Sequence, residues 1–320
     1  MIETMKDIIE PIPAEVILEE LTSDKYLRKT HSGNNEIYVF HAKDAPQTMR
    51  EIGRLREVSF RDSGGGTGLD CDVDEFDYND DGFHQLIVWN PIDRAIVGGY
   101  RYLCCDQLQP DVNGEFYTPT SELFLYSDTF KKQYLPYTME LGRSFVQPAY
   151  QPSNNFSKGI YSLDNLWDGI GTLITTLKPK YLFGKVTMYS QLHREARDLI
   201  LYFLKTQFPD PDCLVVPRPE VDLPILMDEA QLKAIFTGST YNENYRILVK
   251  NVRERGAAVP PLVNAYMSLS PTMRTFGTAL NAPFGDVEET GILVTVADIF
   301  EEKVKRHFEY DPNSIPLHLS

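Results

Sequence analysis

Apolar residues recur along this chain with two periods. Between Asp44 and Arg61, Met49, Ile52, Leu55 and Val58 fall three apart, which gives a helix one apolar stripe. Ser63-Gly64-Gly65-Gly66-Thr67-Gly68 follows, too glycine-rich to pack as an element, and reads as a mobile loop. Three segments dense in β-branched and aromatic residues come next: Phe83 to Trp89, Ile96 to Cys105 and Leu123 to Tyr126. They are parted by the turn signals Asn90-Pro91 and Asn113-Gly114, and a meander is their simplest arrangement. A fourth strand, Thr138 to Val146, leads through a Pro-, Ser- and Asn-rich loop to Ser162-Leu163-Asp164-Asn165, a cap for a helix reaching Leu177. Strand Tyr181 to Met188 then feeds a helix with Leu192, Ala196, Leu199, Ile200, Phe203 and Leu204 on one face.

After Pro211 the pattern changes. Pro217, Pro219 and Pro224 precede two helices, Asp228 to Phe236 and Glu243 to Arg255, and a strand near Ile292 to Val296. The chain therefore reads as an N-terminal arm (1–40), an α/β core (41–210) and a C-terminal α+β extension (211–320), with no internal repeat.

Composition narrows the function. With 320 residues and 42% hydrophobic content the chain can fill a real core, and 24% charged residues interrupt every apolar run before it could span a bilayer. The acidic N-terminus lacks the basic and apolar regions of a signal peptide, so a cytoplasmic location is expected. Four cysteines, Cys71, Cys104, Cys105 and Cys213, without C-x-x-C spacing point to reduced thiols. A net charge of -15 speaks against nucleic acid as a partner.

Three clusters carry candidate chemistry. Arg56-Glu57-Val58-Ser59-Phe60 is followed by Asp74-Glu75-Phe76-Asp77; Gly98-Gly99-Tyr100-Arg101 comes next, then Glu140-Leu141-Gly142-Arg143-Ser144-Phe145. Each alone matches a solvated charge on an exposed strand. In this order they resemble the acyl-homoserine-lactone synthases and, more closely, the hemolysin-like ornithine- and glycine-lipid N-acyltransferases, both of the broad GNAT acetyltransferase superfamily. The matched pattern is Arg56 and Phe60, Asp74 and Asp77, Gly98 and Arg101, and Glu140 and Arg143. Further likeness runs through Leu166-Trp167-Asp168-Gly169-Ile170-Gly171, Tyr181-Leu182-Phe183-Gly184-Lys185-Val186, Pro260-Pro261-Leu262 and Phe284-Gly285.

The resemblance implies a GNAT-like fold, a central, mostly antiparallel mixed sheet flanked by helices. It also implies acyl transfer from a thioester to the amine of a small amino acid, glycine or ornithine, as the first step toward an aminolipid. A signal synthase of the homoserine-lactone type and a non-catalytic acyl-binding or hemolysin-like protein are the rival readings. Glu140 is the implied base, and Arg56, Phe60, Asp74, Asp77, Arg101, Arg143, Ser144 and Trp167 the implied substrate-binding set. No metal and no cofactor are called for beyond the donor, acyl carrier protein or acyl-CoA. Gln147-Pro148-Ala149-Tyr150-Gln151-Pro152 stands where acetyl-CoA enzymes carry a glycine-rich pyrophosphate loop, and this favours acyl carrier protein as the partner. Peripheral contact with a membrane fits a lipid product. A carrier that is itself acidic calls for local lysines, and Lys131, Lys132, Lys158, Lys178, Lys180 and Lys185 are the candidates.

In a regular strand Glu140 and Arg143 point to opposite faces. A bulge at Leu141-Gly142 would return them to one face and open the strand toward a thioester carbonyl. Two other patterns carry less. His193 and Asp198 match an H-x4-D motif, but five residues turn about 140° on a helix. Asp70, Asp72 and Asp74 open like a calcium loop but lack its glycine and final glutamate.

Overall fold

The computed structural model describes residues 5–154, 159 and 161–309; Lys158 lies outside them. In chain order the main elements are α1 (Ala14–Glu20), β1 (Tyr26–Lys29), β2 (Glu36–His41), α2 (Pro46–Asp62), α3 (Glu75–Tyr78), β3 (His84–Asn90), β4 (Ala95–Cys104), β5 (Phe124–Tyr126) and β6 (Thr138–Val146). After these come α4 (Ser162–Leu177), β7 (Tyr181–Met188), α5 (Arg194–Gln207), β8 (Val215–Pro217), α6 (Glu229–Ile235), α7 (Tyr241–Glu254), α8 (Pro261–Met267), β9 (Arg274–Asn281), β10 (Val287–Thr295) and α9 (Glu301–His307). The chain divides into two compact units. One is Met1–Gln109 with Tyr137–Lys180 and Phe300–Ser320; the other is Pro110–Pro136 with Tyr181–Ile299.

In the first unit β1, β2, β3, β4 and β6 pair in that order, every pair antiparallel. β1 and β2 fall in the segment read as an arm. The run Ile37-Tyr38-Val39-Phe40 is buried throughout and pairs residue for residue with Gln85 to Val88. Helix α2 starts with Pro46, whose missing N–H costs nothing there. Its next amides are satisfied from α1: Glu20 accepts from Gln47 N at 3.0 Å and from Thr48 N at 2.7 Å, placing a negative charge at the helix N-terminus.

Two glycines let α4 pack closely. A Cβ on Gly169 would stand 2.7 Å from Leu86 on β3, and one on Gly171 would stand 2.5 Å from the carbonyl oxygen of His307 on α9. The α4 boundaries agree with the sequence, but the expected cap does not form. Tyr161 is the N-cap residue, and the Ser162 hydroxyl donates instead to the Tyr150 carbonyl at 2.9 Å.

The second unit pairs β7 with β10 and β10 with β9, again antiparallel, while β5 pairs with β8 in a separate ribbon. The expected meander is corrected here: β5 leaves the β3–β4–β6 run, because its partner is Val215–Pro217, far along the chain. Asp228 caps α6, and Thr240 with Glu243 forms a capping box on α7. The mixed α/β architecture with antiparallel sheets flanked by helices is the fold class the sequence implied. No helix among the described residues is long and apolar enough to cross a membrane.

Candidate active site

Four elements of the first unit bring together most of the charged residues singled out in the sequence. Arg56 on α2 is fully enclosed, and its Nη1 donates to both carboxylate oxygens of Asp77 at 3.2 and 3.1 Å. Its Nη2 donates to Gln85 Oε1 on β3 at 2.6 Å, and Gln85 Nε2 donates back to Asp77 at 2.9 Å. Arg101 on β4 reaches Asp74 at 2.7 Å and Asp77 at 3.3 Å, with its guanidinium 4.9 Å from the Phe83 ring centroid. Arg143 on β6 pairs through Nε with Asp72 at 3.0 Å, and its Nη2 lies 3.6 Å from Asp74. Three arginines thus face three aspartates, and the charges balance.

Local sequence makes this possible. Asp74 and Asp77 form the two sides of a capping box on the single turn α3, with Asp77 accepting from Asp74 N at 3.2 Å. The short helix therefore presents two carboxylates in fixed register to α2 and β4. Burial opposes the charge on Asp77, but Arg56 and Arg101 outweigh it and hold the carboxyl below the ordinary carboxylate range. At Asp72 burial wins over Arg143, Arg56 and Arg101, and the carboxyl is raised.

The strand β6 does carry a bulge, displaced from the expected place. Gly142 pairs with Arg101 and Phe145 with Gly99, so Arg143 and Ser144 together oppose Tyr100. Arg143 has φ of 48°, a left-handed conformation that costs a non-glycine residue about 1–2 kcal/mol. The reason is the neighbouring strand. A Cβ on Gly98 would stand 2.3 Å from the Phe145 carbonyl oxygen, so the two backbones approach too closely for a regular ladder with side chains. Since Arg101 pairs with Gly142 and Leu103 with Glu140, Arg101 and Glu140 project from the same face of the sheet. Glu140 is 1% exposed, and after burial its charge is the main influence pushing the Cys105 thiol up.

The other positions take different roles. Phe60 sits one turn beyond Arg56 on α2, buried, and Ser144 occupies the bulge itself. Trp167 is 5% exposed on α4, among core residues. Two members of the ion network were not singled out, Asp72 and Gln85. Gln85 had a signal: it is the polar residue inside the run Gln85-Leu86-Ile87-Val88-Trp89.

The glycine-rich segment is tied down, contrary to the loose loop its composition suggests. Glu57, fully buried, accepts from Arg61 Nε, Thr67 N, Thr67 Oγ1 and Gly68 N at 2.7 to 3.0 Å. Gly66, with φ of 100°, passes so near that a Cβ would stand 3.1 Å from the Glu57 carboxylate. Lys131 pairs with Glu115 and Lys185 with Glu289, so neither presents a free charge. Among the described residues no group of His, Cys, Asp and Glu side chains could hold a metal ion.

Comparison with known proteins places these features. A family model described as an acetyltransferase (GNAT) domain matches residues 55–158, the stretch that supplies Arg56, Asp74, Asp77, Arg101, Glu140 and Arg143. A glycine N(alpha)-acyltransferase of Phocaeicola vulgatus is 52% identical over 307 residues, 95% of this chain and 93% of that one. A glycine N(alpha)-acyltransferase of Bacteroides thetaiotaomicron is 52% identical over 309 residues, 95% of this chain and 90% of that one. A solved CoA-dependent acyl-homoserine lactone synthase is similar more loosely, with a TM-score of 0.36 and 14% identity over 86% of this chain and 96% of that one.

Proposed function

The chain belongs to the family of glycine N(alpha)-acyltransferases, and from that premise we propose that it moves a long-chain fatty acyl group from acyl carrier protein to the amine of glycine, opening the synthesis of an aminolipid. It is a GNAT-type acyltransferase, so the reaction is the attack of an amine on a thioester. The observation that carries the site assignment is the left-handed bulge of β6, which sets the partly exposed Arg143 beside the fully balanced network of Arg56, Arg101 and their aspartates.

In this reading the glycine carboxylate meets the Arg143 guanidinium, whose planar fork suits a two-oxygen acceptor. Glu140 removes a proton from the ammonium form, directly or through one water, and the freed lone pair attacks the thioester carbonyl. A C–N bond forms, the C–S bond breaks, and the carrier leaves as a thiolate that takes up the second amine proton to become the thiol. Backbone amides at the bulge supply donors to the oxyanion that develops at the former carbonyl. Arg56 and Arg101 hold the aspartates in place.

The donor assignment is supported by the segment after β6. Pro148 and Pro152 carry no N–H, and Pro148–Tyr150 forms a tight turn with Tyr150 OH bonded to Asp93 at 2.6 Å. Such a segment offers few amides to a pyrophosphate, whereas a carrier-bound phosphopantetheine brings one phosphate to be met. Incubation with palmitoyl acyl carrier protein or palmitoyl-CoA, each with glycine or ornithine, followed by mass spectrometry, tests the proposal. N-palmitoylglycine from the carrier donor is expected. Product from CoA alone, or from ornithine in preference to glycine, would overturn the donor or the acceptor assignment respectively.

A further inference from the structure

Asp72 ends the glycine-rich segment and is held there from both sides of its backbone. Its N–H donates to the Gly53 carbonyl at 3.0 Å, and its own carbonyl accepts from Arg56 Nη1 at 3.4 Å. Its side chain is 1% exposed and faces Arg143, whose Nε lies 3.2 Å from Oδ1 and 3.0 Å from Oδ2. Arg143 keeps 17% of its side chain exposed, while Arg56 and Arg101 keep 1% each. Arg143 is therefore the arginine of the network that a small substrate can touch.

An arginine at the surface of a site is a poor receptor unless its plane is fixed. Ordering a free arginine side chain on binding costs rotamer freedom. Nε is the guanidinium nitrogen nearest the stem. A carboxylate gripping it fixes the plane of the whole guanidinium, in a side chain that keeps 17% of its surface exposed. Asp74, at 3.6 Å from Nη2, bounds the same plane from one side. The bulge makes such a brace necessary, because Arg143 leaves the strand in a left-handed conformation and takes no direction from the ladder.

We propose that Asp72 is a positioning residue for the acceptor: it fixes the Arg143 guanidinium so that its outer edge receives the carboxylate of the amino acid. The proposal rests on the reading that Arg143 binds that carboxylate, and it adds a residue outside the family pattern matched in the sequence. A carboxylate buried at this site is a burden on folding that an amide would not be, as the raised carboxyl of Asp72 indicates. Its placement is better explained by what it does to Arg143 than by stability.

Steady-state kinetics with saturating acyl donor test this, with glycine and glycine amide as acceptors, on Asp72→Asn, Arg143→Ala and the double variant. Arg143→Ala should raise KM for glycine by roughly tenfold to a hundredfold, the reach of a lost charge-assisted pair, and barely change KM for glycine amide. Asp72→Asn should raise KM for glycine about tenfold, leave kcat and the donor KM near wild type, and keep a melting midpoint at or above wild type. In the Arg143→Ala background Asp72→Asn should add nothing, since it acts through that side chain. Asp72→Glu, which keeps the charge but shifts it by a methylene, should fall between Asn and wild type.

A raised glycine KM in Arg143→Ala with a wild-type KM in Asp72→Asn would overturn the role of Asp72 alone. An additive effect in the double variant would do the same. A wild-type glycine KM in Arg143→Ala would overturn the reading of Arg143, and the role of Asp72 with it.

Discussion

Asp77 takes the Nη1 of Arg56 on both of its oxygens, at 3.1 and 3.2 Å, and both side chains are shut off from solvent. Burying such a pair gains little over an apolar pair, but breaking it leaves a stranded charge, at about 3–5 kcal/mol. Asp77→Ala is therefore expected to lower the unfolding free energy by that amount, measured in urea. The pH dependence has a defined sign. The folded carboxyl of Asp77 lies below 3.8, so its contribution is present above that pH and is lost as pH falls through the folded value. Asp72, raised above 3.8, acts in the opposite sense and weighs on stability once it ionises. Wild type should lose stability below pH 3.8 more steeply than Asp77→Asn does, and a parallel loss in the two proteins would contradict the assignment.

Glu57 anchors Thr67 and Gly68 through its two oxygens, each of which accepts from two donors. In Glu57→Gln one oxygen becomes an NH2 group facing donors whichever way the amide turns. The loss of a charge-assisted bond, about 1.5–3 kcal/mol, should speed amide hydrogen exchange across 63–72 by tenfold or more. Exchange at the wild-type rate would mean that Glu57 does not hold the segment.

Gly98 connects fold to site. A methyl group there would press on the Phe145 carbonyl at 2.3 Å, and the bulge that carries Arg143 would have to shift. Gly98→Ala is expected to cost about 1–3 kcal/mol, the usual range for overpacking, and to cut kcat/KM by more than its loss of folded protein explains. Unfolding curves and kinetics on the same preparation would check this. Full activity of the folded fraction would show that the bulge tolerates the change.

The elements with strong periodicity were legible in the sequence. Helix α2, strand β6, helix α4 and strand β7 lie within two residues of their expected bounds. β2 was missed because a short run such as Ile37 to Phe40 becomes a strand through partners as distant in sequence as Gln85 to Val88, whereas β9 was missed although its partner β10 follows it closely in the chain. β5 was found but misplaced, since Leu123 to Tyr126 does not say that Val215–Pro217 is its partner. Within the site, the pattern Arg56, Asp74, Asp77, Arg101 and Arg143 marked residues that do meet. Asp72 looked like part of a calcium-like run, and its carboxylate joins the network through Arg143 at the left-handed turn. The bulge itself was inferred one step early, because Gly142 is the conformationally free residue while close approach at Gly98 sets where the ladder breaks.

Glu140 projects from the same face as Arg101, three residues before Arg143, and is assigned the proton of the acceptor amine. The most direct test is a single-turnover measurement of N-acylglycine formation from acyl carrier protein, comparing wild type with Glu140→Gln at saturating glycine. The variant is expected to fold, bind both substrates and transfer the acyl group about two to four orders of magnitude more slowly, the range of general base catalysis. The deficit should shrink as pH rises and more glycine amine is already deprotonated. A Glu140→Gln protein that transfers at the wild-type rate would mean that Glu140 is not the base.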